Sequence, residues 1–127
     1  MKYHSPEQVL FIHSRIIDQT GGAHGCRDLR LLQSAVSRQK ATFGGRELDP
    51  DLFHKTAALM ESIACNHPFI DGNKRSAIVS AGLFLEKNGY RLSATQKELE
   101  RFTLSVAIRR LQFEELVVWF RAHTEKL

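Results

Sequence analysis

Cysteine is nearly absent: Cys26 and Cys65 are the only two in 127 residues. A framework of several disulfides, the device of small exported domains, is therefore excluded. A chain of this length can bury about two-thirds of its unfolded surface in one core, so both thiols are expected to be free. Long apolar runs are missing too. The longest largely apolar stretch, residues 77–85, is interrupted by Ser80 and Gly82, and it is far shorter than the roughly 20 residues that cross a bilayer. Residues 1–6 have no apolar signal core, so the cytoplasm is the expected location and no membrane partner is expected. Repeats, low-complexity tracts and an acidic excess are also lacking. The net charge is +4 with a pI near 9.3, which admits an acidic protein, a nucleotide or a nucleic acid as partner without choosing among them.

What is present reads as one domain over residues 1–127, built of helices. Ser5, Pro6 and Gln8 mark a helix start with a capping hydroxyl and a first-turn proline. Val9, Ile12, His13, Ile16 and Ile17 follow at helical spacing until Gly21 and Gly22, with His13 expected as a packed core histidine. Asp28 caps a second helix whose stripe is Leu31, Leu32, Ala35 and Val36. The period is then lost. Ala41, Thr42, Phe43, Gly44 and Gly45 read as a short flap or hairpin.

Asp49-Pro50-Asp51 opens a third helix along Leu52, Phe53, Thr56, Leu59, Met60 and Ile63, leaving His54 off the stripe and exposed. Residues 76–88 are apolar around most of their circumference, as a central helix would be. Gly89 ends that helix, and Thr95 with Glu98 forms a capping box for the next, whose inner face is Leu99, Phe102, Val106 and Ile108. A last helix carries Phe113, Leu116, Val117, Trp119 and Phe120. The expected fold is all-α: about six helices around a buried central one, with at most one small hairpin.

The chemistry concentrates in residues 67–75, a loop running into a helix N-terminus. Such an end offers unpaired backbone N–H groups and partial positive charge, to which Lys74 and Arg75 add full charges while Gly72 allows close approach of a ligand. His67 is the histidine beside this anion site, and imidazole suits proton acceptance at neutral pH. Asp71 is a hard oxygen ligand able to share Mg²⁺ with phosphates, or else an ordinary helix cap. Asn73 can donate to an oxyanion or cap the helix. Phe69 and Ile70 are expected to pin the loop. His67 and Asp71 alone do not make a zinc site.

The string His67-Pro68-Phe69-Ile70-Asp71-Gly72-Asn73-Lys74-Arg75 resembles the signature of the Fic/Doc (Fido) family. In the short Doc, or death-on-curing, form the likeness extends to Ser5-Pro6-Glu7, Gly21-Gly22, Asp51-Leu52-Phe53 and Leu83-Phe84-Leu85-Glu86-Lys87-Asn88-Gly89. The resemblance implies a helical fold whose loop binds ATP with Mg²⁺ and moves a phosphate-containing group onto a protein hydroxyl. Position by position, it implies His67 as the base and Asp71 as the Mg²⁺ ligand. Gly72, Asn73 and Lys74 become the anion cradle, Arg75 the phosphate grip, and Ala41, Thr42, Phe43, Gly44 and Gly45 a flap that docks the target by main-chain pairing.

Lysine at position 74 is the Doc-like residue, where AMP-transferring members carry glycine. It implies transfer of the terminal phosphate, with translation elongation factor Tu as the implied target and translation as the process inhibited. AMP transfer is the alternative. The chain departs from the Doc-like pattern at Gly72, which stands for alanine, and at Cys65, which stands for arginine. The self-inhibiting Ser/Thr-x-x-x-Glu-Gly/Asn string of many relatives does not occur, so restraint is expected from a small antitoxin. Two readings from other classes compete: a nucleic-acid-binding or RNA-cleaving toxin, and a non-catalytic helical binding module. The loop lacks stacking aromatics and no recognition helix is evident, so direct nucleic-acid contact is not expected.

Overall fold

The computed structural model describes residues 1–127 and contains six α-helices and two small two-stranded antiparallel sheets. α1 (Pro6–Thr20) opens with the expected capping box: Gln8 N–H donates to Ser5 Oγ at 3.2 Å, and Ser5 N–H donates to Gln8 Oε1 at 2.8 Å. α2 (Leu29–Ser37) is capped by Asp28 and runs into a 3₁₀ turn, Arg38–Lys40. α3 (Leu52–Asn66) is capped by Asp51, whose Oδ1 accepts from His54 N–H at 2.9 Å. α4 (Asn73–Lys87) follows after the short loop, then α5 (Gln96–Ala107) with its Thr95–Glu98 capping box, and α6 (Phe113–Ala122).

α3 is the most enclosed helix, touching α2, α4, α5 and α6 and burying Ala57, Ala58, Leu59, Met60 and Ile63. The helix expected at the centre, α4, packs on α1, α3 and α5. Only one side of it is covered: Ser76, Ala77, Ser80, Ala81, Phe84 and Leu85 are buried, while Val79 and Leu83 stay exposed. Its small buried residues admit α3 closely. The larger apolar ones on the other side line a groove toward α5.

The first hairpin forms where expected, as β1 (Thr42–Phe43) paired antiparallel with β2 (Arg46–Glu47) about Gly44 and Gly45. A second two-stranded sheet was not legible in the sequence. β3 (Tyr90–Leu92) pairs antiparallel with β4 (Thr124–Lys126) in the register Tyr90↔Lys126, Arg91↔Glu125, Leu92↔Thr124. Its three-residue strands are too short to show an alternating pattern, and their partners lie at opposite ends of the C-terminal helical pair.

Two side chains also differ from expectation. His54 is half-buried, with Nδ1 2.9 Å from Asp51 Oδ1 and Nε2 3.4 Å from Glu114 Oε1. Ile108 lies just past the end of α5 and is 52% exposed, because that helix stops before completing the turn that would bring it inward. Cys26 and Cys65 are both free.

Candidate active site

α3 and α4 are consecutive helices joined by residues 67–72, so the end of one and the start of the other meet at a single loop. His67 closes α3 in the left-handed conformation, φ 52° and ψ 58°. For a side-chain-bearing residue this costs about 1–2 kcal/mol, and Pro68 after it already disfavours the right-handed helical alternative. Gly72 opens α4 at φ 76°. A Cβ there would come within 3.0 Å of Ile17 Cδ1, which makes glycine the fitting residue at this turn.

The first intrahelical bond of α4 is Ser76 N–H to Gly72 O at 2.9 Å. The backbone N–H groups of Asn73, Lys74 and Arg75 are therefore left without helical partners. His67, Asp71, Gly72, Asn73, Lys74 and Arg75 line one cleft of about 490 Å³, with Ile70 and with Leu104, Ala107 and Ile108 from the end of α5 as its apolar wall. Every residue expected at the phosphate site is thus brought together. The imidazole of His67 and the ammonium of Lys74 make no hydrogen bond or ion pair within the chain.

Asp71 is not the helix cap. Its Oδ1 accepts from Gly72 N–H at 2.8 Å and its Oδ2 from Ala23 N–H at 3.2 Å. Those N–H groups, Ala23 first, and then the Arg75 charge hold its carboxyl below the usual carboxylate range. The side chain of Asn73 does not cap α4. It accepts from Phe69 N–H at 2.9 Å and donates to Phe69 O at 3.0 Å, which locks the turn. Arg75 Nη1 donates to Thr20 Oγ1. Phe69 is the buried pin, whereas Ile70 is 59% exposed and forms part of the cleft wall.

The hairpin expected as a docking flap is not part of this cleft. None of Ala41, Thr42, Phe43, Gly44 and Gly45 lines it. The root is fastened beside the start of α3, where Leu48 N–H donates to Ala41 O at 2.8 Å and Glu47 pairs with Lys55 at 3.2 Å. His67 caps the other end of that 15-residue helix, whose length is about 22 Å.

The bracing of the loop by distant residues was not legible in the sequence. His13 is buried as expected, and its Nε2 lies 2.7 Å from the Asp71 carbonyl while its ring stacks on Phe69 at 3.8 Å. Gly22 and Gly25 let residues 22–28 run against the loop. A Cβ at Gly22 would stand 2.5 Å from Asp71 Oδ2, and one at Gly25 would stand 2.7 Å from Ile70 Cδ1. Ile70 N–H donates to Gly25 O at 3.1 Å, and Cys26 bridges to Phe69. Three glycines within five residues, more than a helix stop needs, were the available signal.

A single exposed carboxylate, each oxygen steadied by one backbone N–H, beside unpaired N–H groups and two cations is a donor set that suits Mg²⁺ shared with phosphate oxygens. No cluster of three His, Cys, Asp or Glu exists to hold a metal by protein ligands alone. A larger groove of about 540 Å³ starts at Lys74 and Arg75 and runs between α4 and α5. It includes neither His67 nor Asp71, so the smaller cleft is where the reactive groups meet.

Fold and cleft together define the class: an all-α domain whose loop from histidine to arginine wraps the N-terminus of a helix. A model of the Fic/DOC family matches residues 3–85, from the start of the chain through most of α4 and including the whole loop, and the chain belongs to that family. It is 47% identical over 74 residues to "Toxin Doc" of Mycolicibacterium smegmatis, covering 58% of this chain and 57% of that protein. It is 35% identical over 92 residues to "Protein kinase doc" of Escherichia phage P1, covering 72% of each. The chain thus spans just over half the length of the first relative and nearly three-quarters of the second.

Proposed function

We propose that this chain is a Doc-type toxin enzyme that transfers the terminal phosphate of ATP to a hydroxyl of a target protein. A translation elongation factor is the proposed target, inhibition of translation the consequence, and a cognate antitoxin the restraint. The observation that carries the reading is the cleft itself, where a free imidazole, a free ammonium and a guanidinium surround the unpaired N–H groups of α4. The name of the phage relative, "Protein kinase doc", supports the same choice.

His67 takes the proton as the hydroxyl oxygen bonds to the terminal phosphorus. The bond from that phosphorus to the bridging oxygen breaks, and ADP leaves with the electron pair. The N–H groups of Asn73, Lys74 and Arg75 and the two cations neutralise charge on the transferring group, and such positioning and neutralisation carry most of the catalysis in phosphoryl transfer. Mg²⁺, held through Asp71, would supply further neutralisation between phosphates. Lys74, the residue by which the resemblance implies terminal-phosphate transfer, lines the cleft. The groove between α4 and α5 offers an antitoxin segment an apolar seat beside Lys74 and Arg75.

Incubation of the protein with cell lysate and ATP labelled at either the terminal or the α-phosphate tests the reading. Terminal label alone is expected on a target protein. Label from the α-phosphate would replace phosphate transfer by AMP transfer, and RNA cleavage without ATP use would replace both.

A further inference from the structure

The 66–67 and 67–68 peptide planes flank the Cα of His67, and between them they fix where its Cβ points. The second plane has an unusual weakness. Pro68 has no N–H, so the His67 carbonyl is the only hydrogen-bonding group by which that plane can be held. The last carbonyls of α3 have no helical partners either.

Both planes are held by one side chain. Arg27 Nε donates to the His67 carbonyl at 2.8 Å and Arg27 Nη2 donates to the Asn66 carbonyl at 3.0 Å. The next carbonyl, Pro68 O, accepts from Arg27 N–H at 2.7 Å and from Asp28 N–H at 3.2 Å. Three successive carbonyls are thus gripped from residues 27 and 28, with a cation set at the negative end of α3. Arg27 is exposed and does not line the cleft, so it is placed to touch His67 but not the reacting phosphate.

We propose that Arg27 is a positioning residue: its guanidinium fork holds His67 in the left-handed conformation and so aims the imidazole into the cleft. A lysine cannot reproduce the action, because a single ammonium lacks the planar fork that meets two carbonyls at fixed spacing. The rate part of the test rests on the function proposed above; the spectroscopic part does not.

The full-length variants Arg27→Ala and Arg27→Lys are compared with wild type by thermal unfolding, by transfer kinetics, and by the imidazole carbon-proton resonances of His67, His13 and His4. Arg27→Ala is expected to stay folded and to lose roughly tenfold to hundredfold in kcat, the range caused by misplacing a reacting group. KM for ATP should change by less than about twofold, the mark of lost transition-state positioning rather than lost binding. Arg27→Lys should fall between alanine and wild type. The His67 resonance should shift or broaden in Arg27→Ala while those of His13 and His4 stay in place. Unchanged kcat with an unchanged His67 resonance overturns the proposal, as does a raised KM with unchanged kcat, which would make Arg27 a nucleotide ligand. If wild type transfers no phosphate, the functional reading fails, and the His67 resonance alone decides the role of Arg27.

Discussion

The two ends of α3 carry the same kinds of side chain in opposite conditions. At the N-terminal end, Asp51 pairs with His54 and with Arg121 at 2.7 Å, Arg38 pairs with Asp49, and buried Lys55 reaches Gln39 O at 2.9 Å and Glu47 at 3.2 Å. At the C-terminal end, His67 and Lys74 have no partner, and the bracing comes from backbone groups, from His13 and Arg27 outside the cleft, and from the side-chain amide of Asn73. Charges that satisfy one another build a scaffold. Charges left unsatisfied around a loop held by other means are available to a ligand, so bonding condition, not residue type, separates the site from its support.

The histidines give the largest contrast. His67→Ala should lower phosphate transfer by about 10²- to 10⁴-fold, the usual worth of a general base, with an unchanged circular dichroism spectrum and melting temperature. His54→Ala should leave transfer per folded molecule unchanged and lower stability by about 0.5–1.5 kcal/mol through its lost hydrogen bond. Equal losses of transfer in the two variants would erase the distinction between the ends.

The lysines come next. Lys74→Met should slow transfer while leaving the melting temperature in place. Lys55→Met strands the buried Gln39 carbonyl, and denaturant titration should show a loss of about 1–3 kcal/mol. Transfer by the folded Lys55→Met population should stay at the wild-type rate.

The aspartates sharpen the comparison most finely. Burial raises the Asp51 carboxyl, but the His54 N–H and imidazole together with Arg121 outweigh it and carry it below the ordinary value. A carboxyl depressed in the folded state stabilises above the unfolded pKa of about 3.9, and that contribution is lost as pH falls through the folded value. Asn caps helices nearly as well as Asp, so Asp51→Asn isolates the charge. It should flatten the fall of melting temperature between about pH 5 and pH 2. Asp71 is depressed in the same direction but fully exposed. Asp71→Asn should hardly alter that acid limb, yet should weaken Mg-ATP binding by calorimetry.

The helices were legible because each is set locally. Ser5 with Gln8, Asp28, Asp51 and Thr95 with Glu98 all cap where their spacing says they should, and the apolar stripes behind them are the buried faces. The loop was legible for a related reason, since seven of its nine residues bear a polar group or an unusual backbone preference. Arg27, Gly22 and the second role of His13 were not. They lie about 40 to 60 residues from the groups they hold, and no local pattern encodes a partner at that distance. The hairpin was legible as a hairpin from its own residues, whereas its fastening beside the start of α3 through Glu47 and Lys55 depends on a distant partner.

By itself the sequence determined six helices, the caps of four of them and a loop that carries the groups expected of a phosphate site, because these follow from interactions within a few positions along the chain. Tertiary structure alone decided that α3 is the enclosed helix, that α4 turns an apolar side outward, and that residues 22–28 brace the loop. The physical reason is that burial and backbone pairing between distant segments depend on which surfaces meet, and any one segment states only what it offers.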